Sequence, residues 1–425
     1  METQGSGLLI VGAGHAGSEL AVAARQGGWT DRIVLLGDER VVPYQRPPLS
    51  KAYLLGQADV DALALRPAAA YQAARIERVQ GARLAAIDPT GRAVTLADGA
   101  TLRYDKLALC TGGRPRPFVC EGIDARNPPP SNLFYLRTLA DADGIRASLG
   151  PDAQVVVVGG GYVGLEVAAS ARGLGARVTV IEAQPRVLAR VAGAEVSRFY
   201  ESVHREAGVE ILTGAGVERV TCEGGRIVAV HCSNGQRVPA DLVVAGVGML
   251  PNVEAAVAAG LAGEGGIPVD ELARTADPHI VAAGDNTLQH HPLYDRELRL
   301  ESVPNALEQA RAAASWLCGK PKPNRSVPWF WSDQYDLKLQ TAGLSQGHDR
   351  CLLRGDPGAR SFCAFYLRGG QLLAIDAVNR PGDFMATRRA LAQQPVLLNP
   401  ASLTDESLPL REIFPGQSAQ NPGNP

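Results

Sequence analysis

The chain has 425 residues, more than one hydrophobic core accommodates, so two or three domains are expected. With 45% hydrophobic and 20% charged residues, a net charge of −2 and no block of like charges, it lacks the marks of a nucleic-acid-binding surface. It contains no apolar run of about 18 residues, which excludes a membrane-spanning helix, and the opening METQGSG has neither a basic region nor an apolar signal core, so a cytoplasmic protein is expected.

In chain order, Leu8 to Val11 reads as a short buried strand. It runs into GAGHAG, with Gly12, Gly14 and Gly17, and then into the helical SELAVAARQ. A second strand, Ile33 to Leu36, ends at Gly37-Asp38-Glu39. This is the order and length of a dinucleotide-binding βαβ unit. Gly12 permits the tight turn, Gly14 lets a pyrophosphate approach the backbone, and Gly17 lets helix and strand pack closely. The helix N-terminus faces the phosphates with its partial positive charge. An acid after the second strand would hold a ribose hydroxyl; Asp38 and Glu39 both qualify by spacing, and Asp38 is favoured. Next comes VPYQRPPLSK, residues 42–51. Its prolines each lock φ and remove a donor, so Lys51 ends a stiff segment. On residues alone, Lys51 reads as a solvated lysine on a surface loop.

Leu107 to Gly112 reads as another apolar strand turning at glycines. The fingerprint then recurs: Val155 to Val158 is an all-valine strand, GGGYVG supplies Gly159, Gly161 and Gly164, the helix LEVAASARGLG follows, and the strand Val178 to Ile181 ends on Glu182. One G-x-G-x-x-G is a weak signal. Two, each in strand–turn–helix–strand context and each ending on an acid, imply one tightly held redox cofactor and one exchanging nucleotide, for which FAD and NAD(P)H are the natural pair. A carboxylate at Glu182 would bond a free 2′-hydroxyl and repel a 2′-phosphate, which favours NADH; Arg186 and Arg190 keep NADPH open. Leu242 to Asn252 and Ile280 to Asp285 read as further strands. Ser302 to Leu317 reads as a helix, with Ser302 as a possible cap and Pro304 in its first turn. KPKPNRSVP is a proline-rich linker, and the tail is expected to be disordered.

The segments GAGHAG, RPPLSKAYL, CTGGRPRP, YLRTLADA, GGGYVGLEVA, GVGMLPN, AAGDN, ESVPNALEQA, WFWSDQY and AVNRP together resemble those of the FAD-dependent ferredoxin reductases of bacterial oxygenase systems, the putidaredoxin-reductase type. The resemblance spans roughly residues 7 to 412. It implies an α/β protein with two Rossmann-like dinucleotide-binding domains of the glutathione-reductase kind and a C-terminal α/β domain. The FAD domain would be split over residues 1–112 and 248–326, with the NADH domain at 113–247, the C-terminal domain at 327–412 and a tail at 413–425.

The resemblance also implies roles. Gly12, Gly14, Ala16 and Gly17 would form the FAD pyrophosphate turn, and Asp38 would hold the adenosine ribose. Arg137 would contact the cofactor, Asp285 would bond the ribityl chain, and Val303 would begin a helix aimed at the flavin pyrimidine edge, which gains negative charge on reduction. Gly159, Gly161, Tyr162, Gly164, Glu182 and Gly248 would bind NADH. Lys51, on a loop fixed by Pro47 and Pro48, would pair with Glu166 beside the flavin in a positioning and electrostatic role. Trp331 would lie beside the ring, with core packing among Trp329 and Phe330 as its alternative. The partner would be a small acidic [2Fe–2S] ferredoxin docking transiently on a basic rim that includes Arg66, Arg311 and Lys338. No nucleic acid or membrane partner, no metal and a monomeric state are expected.

Two rivals differ in chemistry. An NADH oxidase or disulfide reductase on the same scaffold needs a reactive cysteine near the flavin, and residues 42–51 contain none. The seven cysteines are scattered, form no C-x-x-C, and read as reduced thiols. A redox-regulated binding protein resembling apoptosis-inducing factor would want a basic face or a targeting segment.

Overall fold

The computed structural model describes residues 7–123, 128–393, 396 and 399–414. The chain divides into two compact units. One comprises Met1–Arg46, Asp59–Arg114 and Met249–Ser326; the other comprises Pro47–Ala58, Pro115–Gly248 and Val327–Pro425.

The first unit is built on a five-stranded sheet in the order Ile280–Ala282, Lys106–Leu109, Gly7–Val11, Arg32–Gly37, Ile76–Gln80. Every pairing is parallel. A parallel sheet is covered on both faces, so its strands are continuous apolar runs rather than alternating ones. GLLIV is buried at all five positions. Leu8 and Ile10 face a core shared with the helices His15–Gly27 and Val303–Leu317, while Leu9 and Val11 face a second core with Val94, Leu96 and Val253. The two helices lie close: a Cβ on Gly27 would come within 2.8 Å of Cys318 Sγ, and Lys320 Nζ donates to the Gly27 carbonyl at 3.0 Å. The expected helix after Ser302 is present, with the Ser302 hydroxyl accepting from Asn305 N–H.

The second unit repeats the plan with the parallel strands Glu210–Thr213, Arg177–Glu182, Gln154–Val158, Leu242–Ala245 and Leu133–Phe134, in that order. It also holds an antiparallel sheet, Trp329–Gln334, Leu337–Gly343, Gln371–Val378, Ser361–Arg368, Arg350–Asp356. One face of that sheet packs on the helix Pro381–Leu391 through Phe365, Ile375 and Phe384. The other brings Leu339, Phe362 and Tyr366 against Val196, Phe199 and Tyr200 of the helix Ala194–Glu206. The C-terminal stretch therefore shares a core with the second nucleotide layer.

Along the chain the units change over after Arg114, Gly248 and Ser326, where the expected domains ended at residues 112, 247 and 326. The segment Pro47–Ala58 differs. Read as part of the first nucleotide domain, it groups with the second unit, because Leu54 is fully buried in the core of that unit. Ile413 and Phe414, assigned to the tail, pack in the C-terminal core; the rest of the expected tail, residues 415–425, lies outside the described residues. Among the described residues no helix is long and apolar enough to cross a membrane.

Candidate functional site

Both glycine turns have the geometry that anion binding requires. Gly12 and Gly159 sit at φ +108 and +107, and a Cβ on either would strike a backbone carbonyl, Cys110 O at 2.0 Å or Gly246 O at 2.4 Å. Only glycine fits there. Gly17 and Gly164 cross their own turns closely: a Cβ would lie 1.9 Å from Gly12 O and 2.1 Å from Gly159 O. Gly14 and Gly161 are different. A Cβ on either would meet nothing within 4 Å, so each backbone borders open space at a helix N-terminus. The helices His15–Gly27 and Tyr162–Gly173 begin at these glycines without a side-chain cap. By contrast, Leu139–Ser148 has the Thr138–Asp141 capping box and Val303–Leu317 has Ser302. The two uncapped ends leave donors directed into space that a pyrophosphate fits. The donor set suits FAD at one turn and NADH at the other.

An acid follows the second strand of each turn. Asp38 is exposed after the strand Arg32–Gly37. Glu39, the alternative by spacing, is occupied: its carboxylate accepts from Tyr44 Oη at 2.6 Å and Arg46 Nη2 at 2.7 Å. In the second unit Glu182 accepts from Gly160 N–H and Gln184 N–H, both at 2.7 Å. Two backbone amides thus fix a carboxylate at the end of its strand, beside the turn. Arg186, which had kept a 2′-phosphate possible, spends its guanidinium on the carbonyls of Ala189, Ala192 and Gly193 and on Ser197 Oγ. Its role is to hold the loop that precedes the helix Ala194–Glu206. Arg190 is exposed.

Lys51 and Glu166 meet. Pro47–Ser50 forms a single 3-10 turn, and Lys51 N–H donates to Pro48 O at 3.0 Å. This carries Lys51 Nζ to within 2.8 Å of Glu166 Oε2 and 3.2 Å of the Pro47 carbonyl. The loop is pinned to the helix Tyr162–Gly173: Ser170 Oγ donates to Ser50 O at 2.7 Å, and Ser50 Oγ donates to Glu166 Oε2 at 2.5 Å. Glu166 is buried and Lys51 half-buried, so this pair is shielded from solvent far better than a surface ion pair. Burial alone would penalise both charges; the hydrogen bonds around the carboxylate offset that cost.

The remaining expected residues fall as follows. Ala16 is buried in the first turn of its helix, Val303 opens the helix capped by Ser302, and Asp285 is half-buried beyond the strand Ile280–Ala282. Arg137 is half-buried just before the capping box, with its N–H donating to Asp141. Gly248, at φ +109, accepts from Arg116 N–H at 2.9 Å. Tyr162 stacks on Phe330 with ring centroids 4.6 Å apart. Trp331 is half-buried beside Trp329 (centroids 5.6 Å) and, by strand alternation, on the opposite face from Phe330 and Ser332.

The basic rim is less free than its charges suggested. Arg66 Nη2 and Arg311 Nε both bind Glu19 at 2.8 Å, and Arg311 Nη1 binds Glu308 at 2.9 Å. Burial works against the Glu19 charge, but the two guanidinium groups hold its carboxyl below the usual range. Lys338 is exposed on its strand. Cys110 is buried, and burial pushes its thiol up to about 12, far from a reactive thiolate. Among the described residues no cluster of His, Cys, Asp and Glu could hold a metal ion.

Sequence reasoning missed Ser50, Ser332, Gln334 and His204, all of which gather behind Glu166. Ser50 sits within the quoted loop, and Ser332 and Gln334 alternate along a strand; their period-2 spacing was the available signal. His204 had none.

Comparison with known proteins fits this geometry. Residues 6–310 match the pyridine nucleotide-disulphide oxidoreductase family, and residues 329–414 match the reductase C-terminal family. The chain is 47% identical to putidaredoxin reductase CamA of Pseudomonas putida, over 97% of this chain and 98% of that protein. It is 42% identical to rhodocoxin reductase of Rhodococcus erythropolis, over 95% of this chain and 93% of that one. Its structure matches the reductase in the covalent putidaredoxin reductase–putidaredoxin complex with a TM-score of 0.93 at 46% identity, covering 98% of this chain and 99% of the other.

Proposed function

The chain belongs to the pyridine nucleotide-disulphide oxidoreductase family, and from that premise we propose that it is an NADH-dependent ferredoxin reductase working in the cytoplasm and supplying a [2Fe–2S] ferredoxin. The ferredoxin in turn feeds an oxygenase, a cytochrome monooxygenase first among the choices. When bound, FAD supplies the conversion between two-electron and one-electron chemistry. The protein supplies placement and charge.

Gly12, Gly14 and Gly17 hold the FAD pyrophosphate against an uncapped helix, and Asp38 takes the adenosine ribose. Gly159, Gly161 and Gly164 do the same for NADH. Glu182, fixed by Gly160 and Gln184, accepts the ribose 2′-hydroxyl and repels a 2′-phosphate, while Arg186 is committed to its own loop. Lys51 and Glu166 set the field and alignment under which hydride is delivered. Neither serves as acid or base, because hydride delivery requires no proton at either group. Trp331 lines the exit for electrons, and Lys338, Arg66 and Arg311 are the cations offered to the ferredoxin.

The observation that carries this reading is the combination of two complete dinucleotide turns with a charged loop that lacks a thiol. A loop without a thiol offers no relay to a disulfide, which favours a one-electron carrier as acceptor. The test is turnover: the FAD-loaded protein is mixed with NADH and a panel of [2Fe–2S] ferredoxins, and ferredoxin reduction is followed optically. Rapid reduction of an acidic ferredoxin with NADH far above NADPH is the expected result. Turnover with a disulfide, or stoichiometric reduction that passes to no ferredoxin, would replace the reading.

A further inference from the structure

Glu166 receives more donors than Lys51 and Ser50. Its other oxygen, Oε1, accepts from Ser332 Oγ at 2.6 Å. Gln334 Nε2 donates to Ser332 Oγ at 3.1 Å. Gln334 Oε1 lies 2.9 Å from His204 Nε2, and His204 Nδ1 lies 3.1 Å from Tyr335 Oη. Glu166, Ser332, Gln334 and His204 are all buried, whereas Tyr335 is 39% exposed.

We propose that Ser332, Gln334 and His204 are positioning residues: they form a one-way hydrogen-bond chain, from Tyr335 at the surface to the buried carboxylate, that holds Glu166 turned toward Lys51. The proposal rests on the reading that the Lys51–Glu166 pair acts on hydride delivery.

The polarity of the chain follows from elementary hydrogen-bond chemistry. An ionised carboxylate only accepts, so Ser332 gives its single proton to Glu166. Ser332 Oγ must then accept from Gln334, which turns the amide nitrogen toward the serine and its oxygen toward His204. That oxygen accepts, so His204 donates from Nε2. A neutral imidazole has one proton, so Nδ1 is bare and takes the Tyr335 hydroxyl proton. The charge state of Glu166 therefore dictates the tautomer of a histidine three hydrogen bonds away. Burial holds His204 below its ordinary range and pushes Tyr335 up to about 12, so the ring stays neutral and the phenol stays a donor.

The backbone adds a second, independent observation. Tyr335 and Asp336 form the two-residue link between paired Gln334 and Leu337, and Tyr335 sits at φ +55. Glycine or asparagine is favoured at such a position, and a tyrosine there is strained. The bond to His204, with the rings edge-on at 5.1 Å, accounts for a tyrosine held in that turn. The chain orients rather than conducts: a carboxamide cannot relay a proton without becoming an imidic acid, so Gln334 blocks proton transfer while passing on polarity. Lys51 is the charged group that meets Glu166 directly; burial first, and the Glu166 charge with it, raise Tyr162 on the same helix and Tyr200 on the helix Ala194–Glu206.

Two measurements test the chain. In the FAD-loaded wild type labelled with 15N-histidine, with the His204 signal assigned by its absence in His204→Phe, near-neutral pH should show a proton on Nε2 and a bare Nδ1. A proton on Nδ1, or a charged ring, overturns the proposal. In stopped-flow reduction by NADH, Ser332→Ala should slow the rate roughly tenfold, as loss of one charge-assisted hydrogen bond allows. Ser332→Thr should restore it, and Ser332→Ala should add nothing in a Glu166→Gln background. If Lys51→Ala slows reduction but Ser332→Ala does not, the chain is wrong and the pair stands. If Lys51→Ala has no effect, the pair's role is wrong, and the His204 tautomer alone decides the chain.

Discussion

Lys51 Nζ lies 2.8 Å from Glu166 Oε2, although the two residues belong to motifs far apart in the chain. The contact exists because the 3-10 turn Pro47–Ser50 leaves the first nucleotide unit and packs on the helix that opens with the second glycine turn. A loop that falls within the first nucleotide domain by sequence groups with the second unit. Lys51→Ala should slow flavin reduction by NADH roughly ten- to a hundredfold, the range for losing one preorganised electrostatic contact. FAD should remain bound, as its absorbance after gel filtration would show. An unchanged single-turnover rate would remove Lys51 from the mechanism.

Glycines at different points of the same turn should fail differently. Gly12→Ala forces a Cβ into Cys110 O at a positive φ and should cost on the order of 3 kcal/mol or more in stability. Gly14→Ala meets no atom of the protein, so melting of the apoprotein should be nearly unchanged. Its cost should appear only as weaker FAD binding, roughly ten- to a hundredfold. Comparing apoprotein melting with FAD titration separates the two.

Coenzyme choice should follow Glu182 rather than the arginines beside it. Glu182→Ala should raise the KM for NADH roughly tenfold and narrow the preference over NADPH. Arg186→Ala should leave that preference alone and lower stability instead, since its guanidinium ties Ala189, Ala192, Gly193 and Ser197 together. Steady-state kinetics with both nucleotides, alongside melting curves, would tell.

Two buried groups in the second unit should shape stability against pH in opposite senses. Burial holds His204 below its ordinary 6.5, so the unfolded chain takes a proton first. Its contribution is full above about 6.5 and is lost as pH falls below that value. Burial pushes Asp376, which accepts from Tyr366 Oη at 2.6 Å, up to about 7 from 3.8. Its contribution is full below about 3.8 and is lost as pH rises toward about 7. Asp376→Asn keeps an acceptor for Tyr366 and removes the titration. The melting-temperature advantage of the variant should therefore widen between about pH 4 and pH 7, then level off. A gap that does not depend on pH would show that Asp376 is ionised throughout.

Docking should depend on Lys338 more than on either arginine. Lys338→Ala should raise the KM for ferredoxin several-fold and flatten its dependence on salt. Arg66→Ala and Arg311→Ala should do less, because each cation already serves Glu19. Initial rates at two ionic strengths would rank them.

Much of this protein was legible in the order of its residues. The positive φ of the glycine turns, the apolar runs that feed them, the acids that end them and the helix capped by Ser302 are legible from residues close in sequence, where φ, burial and capping leave few choices. Glu166 as partner of Lys51 was reached through resemblance. What the linear order could not show was who else meets that carboxylate. Ser332 and Gln334 arrive on a strand from the far end of the chain, and His204 comes from a helix with no motif. The same limit hid the fate of the arginines. Arg66, Arg186 and Arg311 are plain positive charges in sequence, and only the packing of Glu19 and the loop at Ala189–Gly193 decided which partners they take. Local sterics act through the chain, so sequence determines them. Hydrogen-bond polarity and charge pairing act through space, so only the tertiary structure decides them.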